Sequence, residues 1–373
     1  MMSQPKQALL FVIFSLKPGG TQRMMINVLN EIKPDGIKKI LFLYNFTEGF
    51  SLEHQVCDDI KIYRSSYQGN FKYLVRLYIL IKLIYKEKIN KIISFSTNGS
   101  YLSIIARFFF FLKKINLVYR LVSVDEALVD SKSTWIKEIK KIFFIHFLCR
   151  RTDTIIGQSK YMSDNLIRKK PQLLKDKVIT INNILPVNKI IELSEEPIEI
   201  KHPYILYVGR LSEEKNIIGI IKAFELIQAK IEENLVIIGE GVLEKDLKQY
   251  VKDNDLSDRV DFLGVKENPY KYMSHASVLV LFSKYEGMPN VVLEAMVCKT
   301  AVIVSDFKGV EDVVPNDSVG SIVQKQNIQQ LSREFETVLD FSKNKSVRVI
   351  VAFEHINNFN KKSISQYSEI IKF

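Results

Sequence analysis

Short apolar segments with strand character alternate with helical segments along this 373-residue chain. In the first half, the predicted strands are Ala8–Ser15, Lys38–Asn45, Ile60–Arg64, Lys91–Thr97, Asn116–Val122, Thr154–Ser159 and Val178–Asn182. The helical segments that separate several of them include Phe71–Lys88, Ser100–Leu112 and Thr134–Cys149. Such alternation predicts a parallel sheet with right-handed crossovers, which binds ligands beyond the carboxyl ends of its strands.

The second half of the chain repeats the alternation. Its predicted strands lie in Tyr204–Gly209, Leu235–Gly241 (a strand with its turn), Val260–Lys266, Ser277–Ser283, Val302–Asp306 and Gly320–Val323. Between the two halves, Ile184–Pro186 is followed by the polar, acid-rich stretch Glu192–Lys201, which is typical of a linker. A chain of this length suits two domains better than one core. The sequence therefore predicts an α/β protein with two doubly wound parallel sheets.

Charge is distributed unevenly between the halves. Residues 1–187 carry 30 lysines and arginines against 14 aspartates and glutamates, a net charge of +16. Residues 188–373 have a net charge of −5, which brings the whole chain to +11. The alternative explanation is a genome-wide bias towards lysine, but such a bias would make both halves positive. The asymmetry instead indicates that the first domain faces a polyanion or an anionic membrane.

Two basic, aromatic segments account for much of this charge: 101–114 and 135–151. Their lysines and arginines stand beside leucine-rich and phenylalanine-rich faces, which suits helices that lie in a membrane interface. Buried crossover helices with snorkelling lysines are the alternative. The residues expected to contact an anionic surface are Arg107, Lys113, Lys114, Lys137, Lys140 and Lys141.

No apolar run reaches the roughly 18 residues that a spanning helix needs. The segment Ala8–Leu16 has the length of a signal-peptide core, but a Lys-Pro-Gly-Gly loop follows it where a cleavage site would stand. We therefore interpret it as a first strand. The three cysteines, Cys57, Cys149 and Cys298, are too scattered for a disulfide framework or a metal site. These features favour the cytoplasm.

One strand–loop–helix element carries two carboxylates. The buried strand Ser277–Ser283 runs into a loop broken by Gly287 and Pro289, and Asn290 is the predicted N-cap of the next helix. Glu286 lies in the loop and Glu294 near the first turn. The helix N-terminus attracts anions, whereas two carboxylates need hydroxyl partners. A nucleotide sugar offers both, although capping or surface roles are open to two glutamates.

Cations follow another buried strand. After Gly209, Arg210 and Lys215 lie in the loop that enters the next helix. Arginine can grip a phosphate with a fork of donors, and lysine adds a point charge. Near the N-terminus, Gly19 and Gly20 end the first strand before a helix, and paired glycines allow close approach of an anion. That second loop is equally consistent with an ordinary turn.

The phrase Glu-Gly-Met-Pro-Asn at 286–290 resembles the signature of the family 4 retaining glycosyltransferases, which have the GT-B fold. The phrase Gly-Arg-Leu-Ser-x-Glu-Lys-Asn at 209–216 resembles that family's pyrophosphate-binding motif. The resemblance implies two domains facing a cleft, with an acceptor-side domain at residues 1–186, a nucleotide-sugar-binding domain at 187–357, and a terminal helix at about 358–373 that packs back on the first. The most specific motifs of this resemblance lie in the second half of the chain.

The resemblance also assigns roles to residues. Glu286 would contact the donor sugar, Glu294 the ribose, and the loops that include Val265 and Lys266 the nucleobase. The expected catalytic residues are Arg210, Lys215 and Glu286. The expected donor-binding residues are Gly19, Gly20, Val265, Lys266, Gly287, Met288, Pro289, Asn290 and Glu294. Many relatives carry a histidine near residues 120–126, where this chain has Asp125 and Glu126 instead, as polar contacts or as a helix cap.

The implied activity is transfer of a sugar from a nucleotide donor, UDP-linked or else GDP-linked, with retention of configuration and without a metal or other cofactor. The expected acceptor is a polyprenyl-linked saccharide in bacterial surface polysaccharide (O-antigen or capsule) synthesis, which would place the enzyme peripherally on the inner face of the plasma membrane. A sugar phosphorylase or nucleotide-sugar epimerase of the same fold is the first alternative. A basic nucleic-acid-binding module is the second, but it does not explain the glutamates, so no nucleic acid partner is expected.

Overall fold

The computed structural model describes residues 7–17, 19–34, 36–45, 51–110, 115–121, 143–340 and 345–372, with the backbone alone at 144–145 and 345–347. The chain forms two compact units. The first comprises Met1–Ile184 and Lys361–Phe373, and the second Leu185–Asn360. Each unit is built on one parallel sheet.

The sheet of the first unit has the strand order β3-β2-β1-β4-β5-β6-β7. Its strands are β1 (Ala8–Ile13), β2 (Lys38–Leu43), β3 (Lys61–Arg64), β4 (Ile89–Ser94), β5 (Asn116–Arg120), β6 (Thr154–Gly157) and β7 (Val178–Thr180). Its helices are α1 (Gly20–Glu31), α2 (Lys72–Lys86), α3 (Thr97–Phe108), α4 (Lys160–Lys169) and α5 (Pro171–Leu174), with a 3₁₀ turn at Leu52–Gln55 and a π-helical turn at Phe144–Cys149. The chain turns back between β1 and β4, which is the switch point of this sheet.

Two apolar layers cover the sheet of the first unit. The buried side chains of α1 pack with those of the chain's last residues on one face. The buried side chains of α2, α3, the π-helical turn and α4 form a separate cluster with the other strand faces. Strands covered on both sides must be apolar throughout, and β1 is buried at all six positions.

The sheet of the second unit has the order β10-β9-β8-β11-β12-β13. Its strands are β8 (Tyr204–Val208), β9 (Asn234–Ile238), β10 (Val260–Gly264), β11 (Val278–Leu281), β12 (Ala301–Ser305) and β13 (Ser321–Val323). Its helices are α6 (Val187–Ser194), α7 (Ile217–Glu225), α8 (Glu244–Asp253), α9 (Tyr270–His275), α10 (Asn290–Val297) and α11 (Ile328–Asp340), with 3₁₀ turns at Glu213–Lys215 and Val310–Asp312. Here the switch point lies between β8 and β11.

A 27-residue helix, α12 (Lys345–Ile371), contributes its last residues to the first unit. There the Lys91 ammonium donates to the carbonyls of Ile370 and, at 2.7 Å, Lys372. The fully buried Arg120 donates to the Tyr367 hydroxyl at 2.7 Å. Burial raises the pKa of Tyr367, so its hydroxyl stays protonated and accepts with an oxygen lone pair.

The prediction of an α/β fold with two parallel sheets is confirmed, and every predicted strand of the first half is present. The strands are shorter than predicted at one or both ends, and β4 also begins two residues before the predicted Lys91. The terminal helix is longer than expected because it begins at Lys345. Of the predicted helix Thr134–Cys149, only the π-helical turn and Phe143 before it lie within the described residues. The functional labels given to the two domains stay predictions.

Candidate active site at the switch point of the second sheet

The loops after β8 and β11 meet because these strands are neighbours in the sheet, although some 70 residues separate them in the chain. The Lys215 ammonium, in the 3₁₀ turn after β8, lies 2.5 Å from Glu286 Oε1 in the loop after β11. Both side chains are mostly buried, with 20% and 11% of their surfaces exposed. The structure therefore joins two of the predicted catalytic residues in one ion pair at the switch point, where open α/β sheets bind ligands.

Two serines support the Glu286 carboxylate and its loop. Ser283 Oγ donates to Glu286 Oε1 at 2.7 Å. Ser305 Oγ, at the end of β12, donates to the carbonyl of Ser283 at 2.6 Å. Both serines are completely buried. Since the Lys215 and Ser283 bonds reach Oε1, Oε2 keeps its acceptor capacity for a hydroxyl group of a ligand.

The two loops are also linked away from this pair. The Lys284 backbone N–H donates to the Glu214 carbonyl at 2.8 Å. The Lys284 ammonium lies 2.7 Å from Glu213 Oε1, whose side chain is 85% exposed. The backbone bond holds the loop after β8 to the loop after β11, so the Lys215–Glu286 geometry is preorganised, whereas the exposed pair with Glu213 lies outside the site.

Arg210 lies at the edge of this site and does not contact Glu286. Its side chain is 73% exposed, and its guanidinium approaches Glu214 Oε1 at 3.9 Å. Tyr207 supports its backbone by donating from its hydroxyl to the Arg210 carbonyl at 3.0 Å. Burial, together with the nearby carboxylates of Glu286 and Glu214, raises the pKa of Tyr207, so this donor stays protonated.

Glycine is required where the ends of β8 and β9 come together. Gly239 has φ +138°, and a Cβ atom there would lie 1.9 Å from the Gly209 carbonyl oxygen. The next turn packs directly on the Arg210 loop, since the Leu211 N–H donates to the Glu240 carbonyl at 2.9 Å. The glycines at these strand ends therefore position the loop that carries the cations.

The helix that follows the Glu286 loop is α10, and its N-terminus corrects one prediction. Asn290 is the first helical residue, and Pro289 occupies the N-cap position. The fixed φ of proline suits this boundary, and its missing N–H costs nothing there. Glu294 lies half-buried on the second turn. Of the predicted donor-binding loop, Gly287 is half-buried, and Met288 and Pro289 are buried.

The predicted nucleobase residues are farther from the switch point. Val265 and Lys266 follow β10, which is the edge strand of the sheet. Val265 is 63% exposed and Lys266 is half-buried. The turn before them is held to β9, because the Gly239 N–H donates to the Gly264 carbonyl at 2.9 Å. These residues are thus placed on the same end of the sheet as the ion pair, two strands away from β8.

The remaining predicted residues, Gly19 and Gly20, belong to the first unit. Gly19 caps α1 and Gly20 begins it. A Cβ atom on Gly20 would meet nothing within 4 Å, and one on Gly19 would meet only the mobile end of Gln22. Packing does not require either glycine. This is compatible with close approach of a ligand to the helix N-terminus.

A cavity of about 320 Å³ opens at the switch point of the first sheet. Its described lining residues are Ile13, Phe14, Thr21, Gln22, Tyr44, Phe95, Ser96, Thr97 and Asn98. Tyr44 and Ser96 share a hydrogen bond of 3.0 Å, and burial raises the pKa of the Tyr44 hydroxyl. Phe14 lies at the rim, 43% exposed and edge-on to Tyr44. None of these lining side chains is charged, so the cavity suits an uncharged group with hydroxyl or amide substituents.

Sequence reasoning did not find this cavity, nor the part played by Ser283 and Ser305. The signal was present in Ser96–Asn98, a polar run that directly follows a buried strand. Asp125, Glu126, Lys113, Lys114, Lys137, Lys140 and Lys141 lie outside the described residues. Within the described ranges, no group of three or more His, Cys, Asp or Glu side chains could hold a metal ion.

Residues 189–350, which include the Lys215–Glu286 site, match the family model of the glycosyl transferases group 1. The chain is also 27% identical, over 90% of its length and 91% of the relative's, to the N-acetylgalactosamine-N,N'-diacetylbacillosaminyl-diphospho-undecaprenol 4-alpha-N-acetylgalactosaminyltransferase of Campylobacter jejuni.

The chain has two further similarities. It is 24% identical, over 88% of both chains, to the GalNAc-alpha-(1->4)-GalNAc-alpha-(1->3)-diNAcBac-PP-undecaprenol alpha-1,4-N-acetyl-D-galactosaminyltransferase of Campylobacter jejuni. Its structure resembles that of Anabaena HepE in complex with UDP, with a TM-score of 0.76, 17% identity, and coverage of 97% of this chain and 100% of HepE. The structural likeness shows the GT-B fold, as the sequence predicted.

Proposed function

We propose that this protein is a glycosyltransferase that transfers a sugar from a UDP-linked donor, with retention of configuration, to a saccharide carried by a polyprenyl diphosphate. The observation that carries the proposal is the Lys215–Glu286 pair at the switch point of the second sheet. The relatives named above act on undecaprenyl-diphosphate-linked sugars, and HepE binds UDP, which supports the choice of acceptor and base.

The two charges of the pair suit the two parts of the donor. A lysine ammonium has three N–H donors, so the bond to Glu286 leaves others for a phosphate oxygen. The free Oε2 of Glu286 accepts from a sugar hydroxyl. The N-terminus of α10 and the exposed Arg210 add positive potential where the diphosphate would depart. Attack by the acceptor oxygen on the face that the diphosphate leaves gives retention, with the diphosphate taking the proton.

The cavity of the first unit suits the terminal sugar of the acceptor. Its aromatic walls can cover the apolar face of a sugar ring, while Ser96, Thr97 and Asn98 offer hydroxyl and amide partners. A lipid-linked acceptor further implies that the enzyme works peripherally at an anionic membrane surface, in surface polysaccharide synthesis. In the described parts of the chain, no helix is both long and apolar enough to cross a membrane.

The test is product analysis with the purified full chain. A panel of UDP, GDP, ADP and TDP sugars is screened by thermal shift, and the binders are then assayed with a polyprenyl-diphosphate-linked saccharide. Release of UDP with a glycosylated lipid of unchanged anomeric configuration supports the proposal. A sugar 1-phosphate formed with inorganic phosphate would identify a phosphorylase, and an epimerised nucleotide sugar an epimerase. A product in which the anomeric configuration of the transferred sugar is inverted would contradict the retaining mechanism.

We expect a chelator to leave the initial rate unchanged within about twofold, because Lys215, Arg210 and the α10 N-terminus take up the charge that a divalent ion would otherwise neutralise. The measurement is turnover after treatment with EDTA and buffer exchange. Loss of activity that a divalent ion restores would contradict metal-independent transfer.

We expect Asn98→Ala to raise KM for the acceptor about 3- to 10-fold, the scale of one lost uncharged hydrogen bond, with KM for the donor unchanged. Gln172→Ala is the matched control, since it removes an exposed amide from the same unit outside the cavity. An equal change in KM for the donor and for the acceptor, or no change in either, would show that the cavity does not bind the acceptor.

A further inference from the structure

The outer layer of the first unit carries most of its exposed large apolar side chains. This layer contains α2, α3 and the π-helical turn, and α3 packs against both of the others. The exposed members are Phe71, Tyr73, Leu74, Tyr78, Tyr85, Ile105, Phe108, Phe109 and Phe143. In the second unit the exposed large apolar residues are fewer and scattered in sequence: Leu226, Val242, Val265, Tyr285 and Ile350. An apolar layer of this kind marks an interaction surface.

Helix α2 presents the most regular part of this layer. Its inner side, which includes Leu80, Leu83 and Ile84, is buried against the sheet. Phe71, immediately before the helix, is followed on the solvent side by Leu74, Tyr78 and Tyr85. These four residues are spaced by three, four and seven positions, so they form one stripe along the helix. They are between 64% and 80% exposed.

The stripe is basic. Lys82 fills the gap in it between Tyr78 and Tyr85, and Lys86 follows one position later; both are exposed. No acidic residue occurs between Asp59 and Glu87. Glu87 does not neutralise these lysines, because it pairs instead with Lys38 at 2.6 Å and Lys61 at 3.3 Å. Within the described part of the chain, this surface therefore combines aromatic rings with two lysines that form no ion pair.

We infer that the stripe Phe71, Leu74, Tyr78, Lys82 and Tyr85 is a docking surface for an anionic lipid bilayer, which rests on the proposed lipid-linked acceptor. Helices that lie in a membrane interface combine lysines with tyrosine, phenylalanine and leucine on the lipid side. Charge complementarity selects this occupant over a second copy of the chain, because lysine is depleted at protein–protein interfaces and like charges would face each other. A bilayer surface supplies negative charge to both lysines at once.

The assignment differs from the one made from the sequence. Of the residues expected there to contact a membrane, Arg107 is described, and its guanidinium is engaged by Asp153 at 2.8 Å and by the Arg151 carbonyl. That engagement makes Arg107 a weaker contact than Lys82 or Lys86. The phenylalanines at the end of α3, Phe108 and Phe109, add exposed apolar area to the same outer layer.

The experiment measures sedimentation of the purified full chain with vesicles of phosphatidylcholine alone or with phosphatidylglycerol, at low and high salt. The wild type is expected to bind only the anionic vesicles and to dissociate at high salt. At low salt, Lys82→Glu/Lys86→Glu should weaken binding about tenfold or more, and Leu74→Ser/Tyr78→Ser/Tyr85→Ser should weaken it by a similar factor. Matched controls on the second unit, Lys245→Glu/Lys252→Glu and Leu226→Ser/Val242→Ser, should bind as the wild type does.

A water-soluble short-chain acceptor separates docking from catalysis. The stripe variants should turn it over at the wild-type rate, which also shows that they fold. The inference is overturned if the wild type ignores anionic vesicles at low salt, if the stripe variants bind as tightly as the controls, or if they instead convert a dimer to a monomer on size exclusion. Vesicle binding without turnover of any nucleotide sugar would support the docking surface and contradict the proposed function.

Discussion

Glu286→Ala is expected to lower sugar transfer by at least about 10³-fold while the protein stays folded and still binds UDP. In the proposed complex Glu286 contacts the sugar, whereas the diphosphate lies against Lys215. Removing the carboxylate frees the Lys215 ammonium from its 2.5 Å bond. The affinity for UDP should therefore stay the same or increase, because no carboxylate then competes with the phosphates for this cation.

The measurement is turnover together with UDP affinity by calorimetry. Glu213→Ala is the matched control, because it removes an 85% exposed glutamate from the linked loop and should keep near-normal activity. The turnover of Glu286→Gln should lie between those of Glu286→Ala and Glu213→Ala, since an amide can still bond a hydroxyl group but forms no ion pair with lysine. Unchanged turnover in Glu286→Ala would remove the central assignment.

Lys215→Ala is expected to lower turnover by about 10²–10³-fold, the scale for one preorganised charge-stabilising group. Unlike the glutamate variant, it should also weaken UDP binding. The reason is that Glu286 would be left mostly buried with Ser283 as its partner among the described residues, so a carboxylate without its cation would face the diphosphate. Lys284→Ala, which breaks only the outer pair with Glu213, is the control and should change turnover little.

A double-mutant cycle sharpens this second prediction. Lys215 and Glu286 are in direct contact, so the loss in the double alanine variant should be smaller than the product of the two single losses. Arg210→Ala should have a smaller effect than Lys215→Ala, since its side chain is 73% exposed and well screened. Independent effects of Lys215 and Glu286, or wild-type rates in Lys215→Ala, would place the diphosphate elsewhere.

Local pattern was enough to predict the strands and the two chemistry-bearing loops. Both Lys215 and Glu286 follow apolar runs, and residues after buried parallel strands lie at the ligand-binding edge of a sheet. Their direct pairing could not be predicted, because it depends on β8 and β11 being neighbours, and strand order is set by packing of the whole unit. Ser305 was missed for the same reason, since β12 brings it to Ser283 from another part of the chain.

The docking stripe shows a second limit. The segment Phe71–Lys88 is apolar nearly all round, so its periodicity predicts a helix but does not tell which side faces the sheet. Only the packing of Leu80, Leu83 and Ile84 reveals that Tyr78 and Tyr85 remain outside. Asn290 illustrates a finer error: a side chain suited to an N-cap was displaced by one position because Pro289 already ends the loop.

The end of α12 makes the order of synthesis differ from the order of folding. Tyr367 and Ile371 belong to the same buried cluster as β1 and α1. Arg120 donates to the Tyr367 hydroxyl and Lys91 to the Ile370 carbonyl, so both bonds form only after this helix is made. At a translation rate of about 5–20 residues per second, the ribosome needs roughly ten to thirty seconds to make the second unit between them. During that interval the first unit exposes an apolar surface, and Arg120 keeps Asn183 as a partner but lacks the Tyr367 hydroxyl. It is the period in which the nascent chain is most open to aggregation and to chaperone binding.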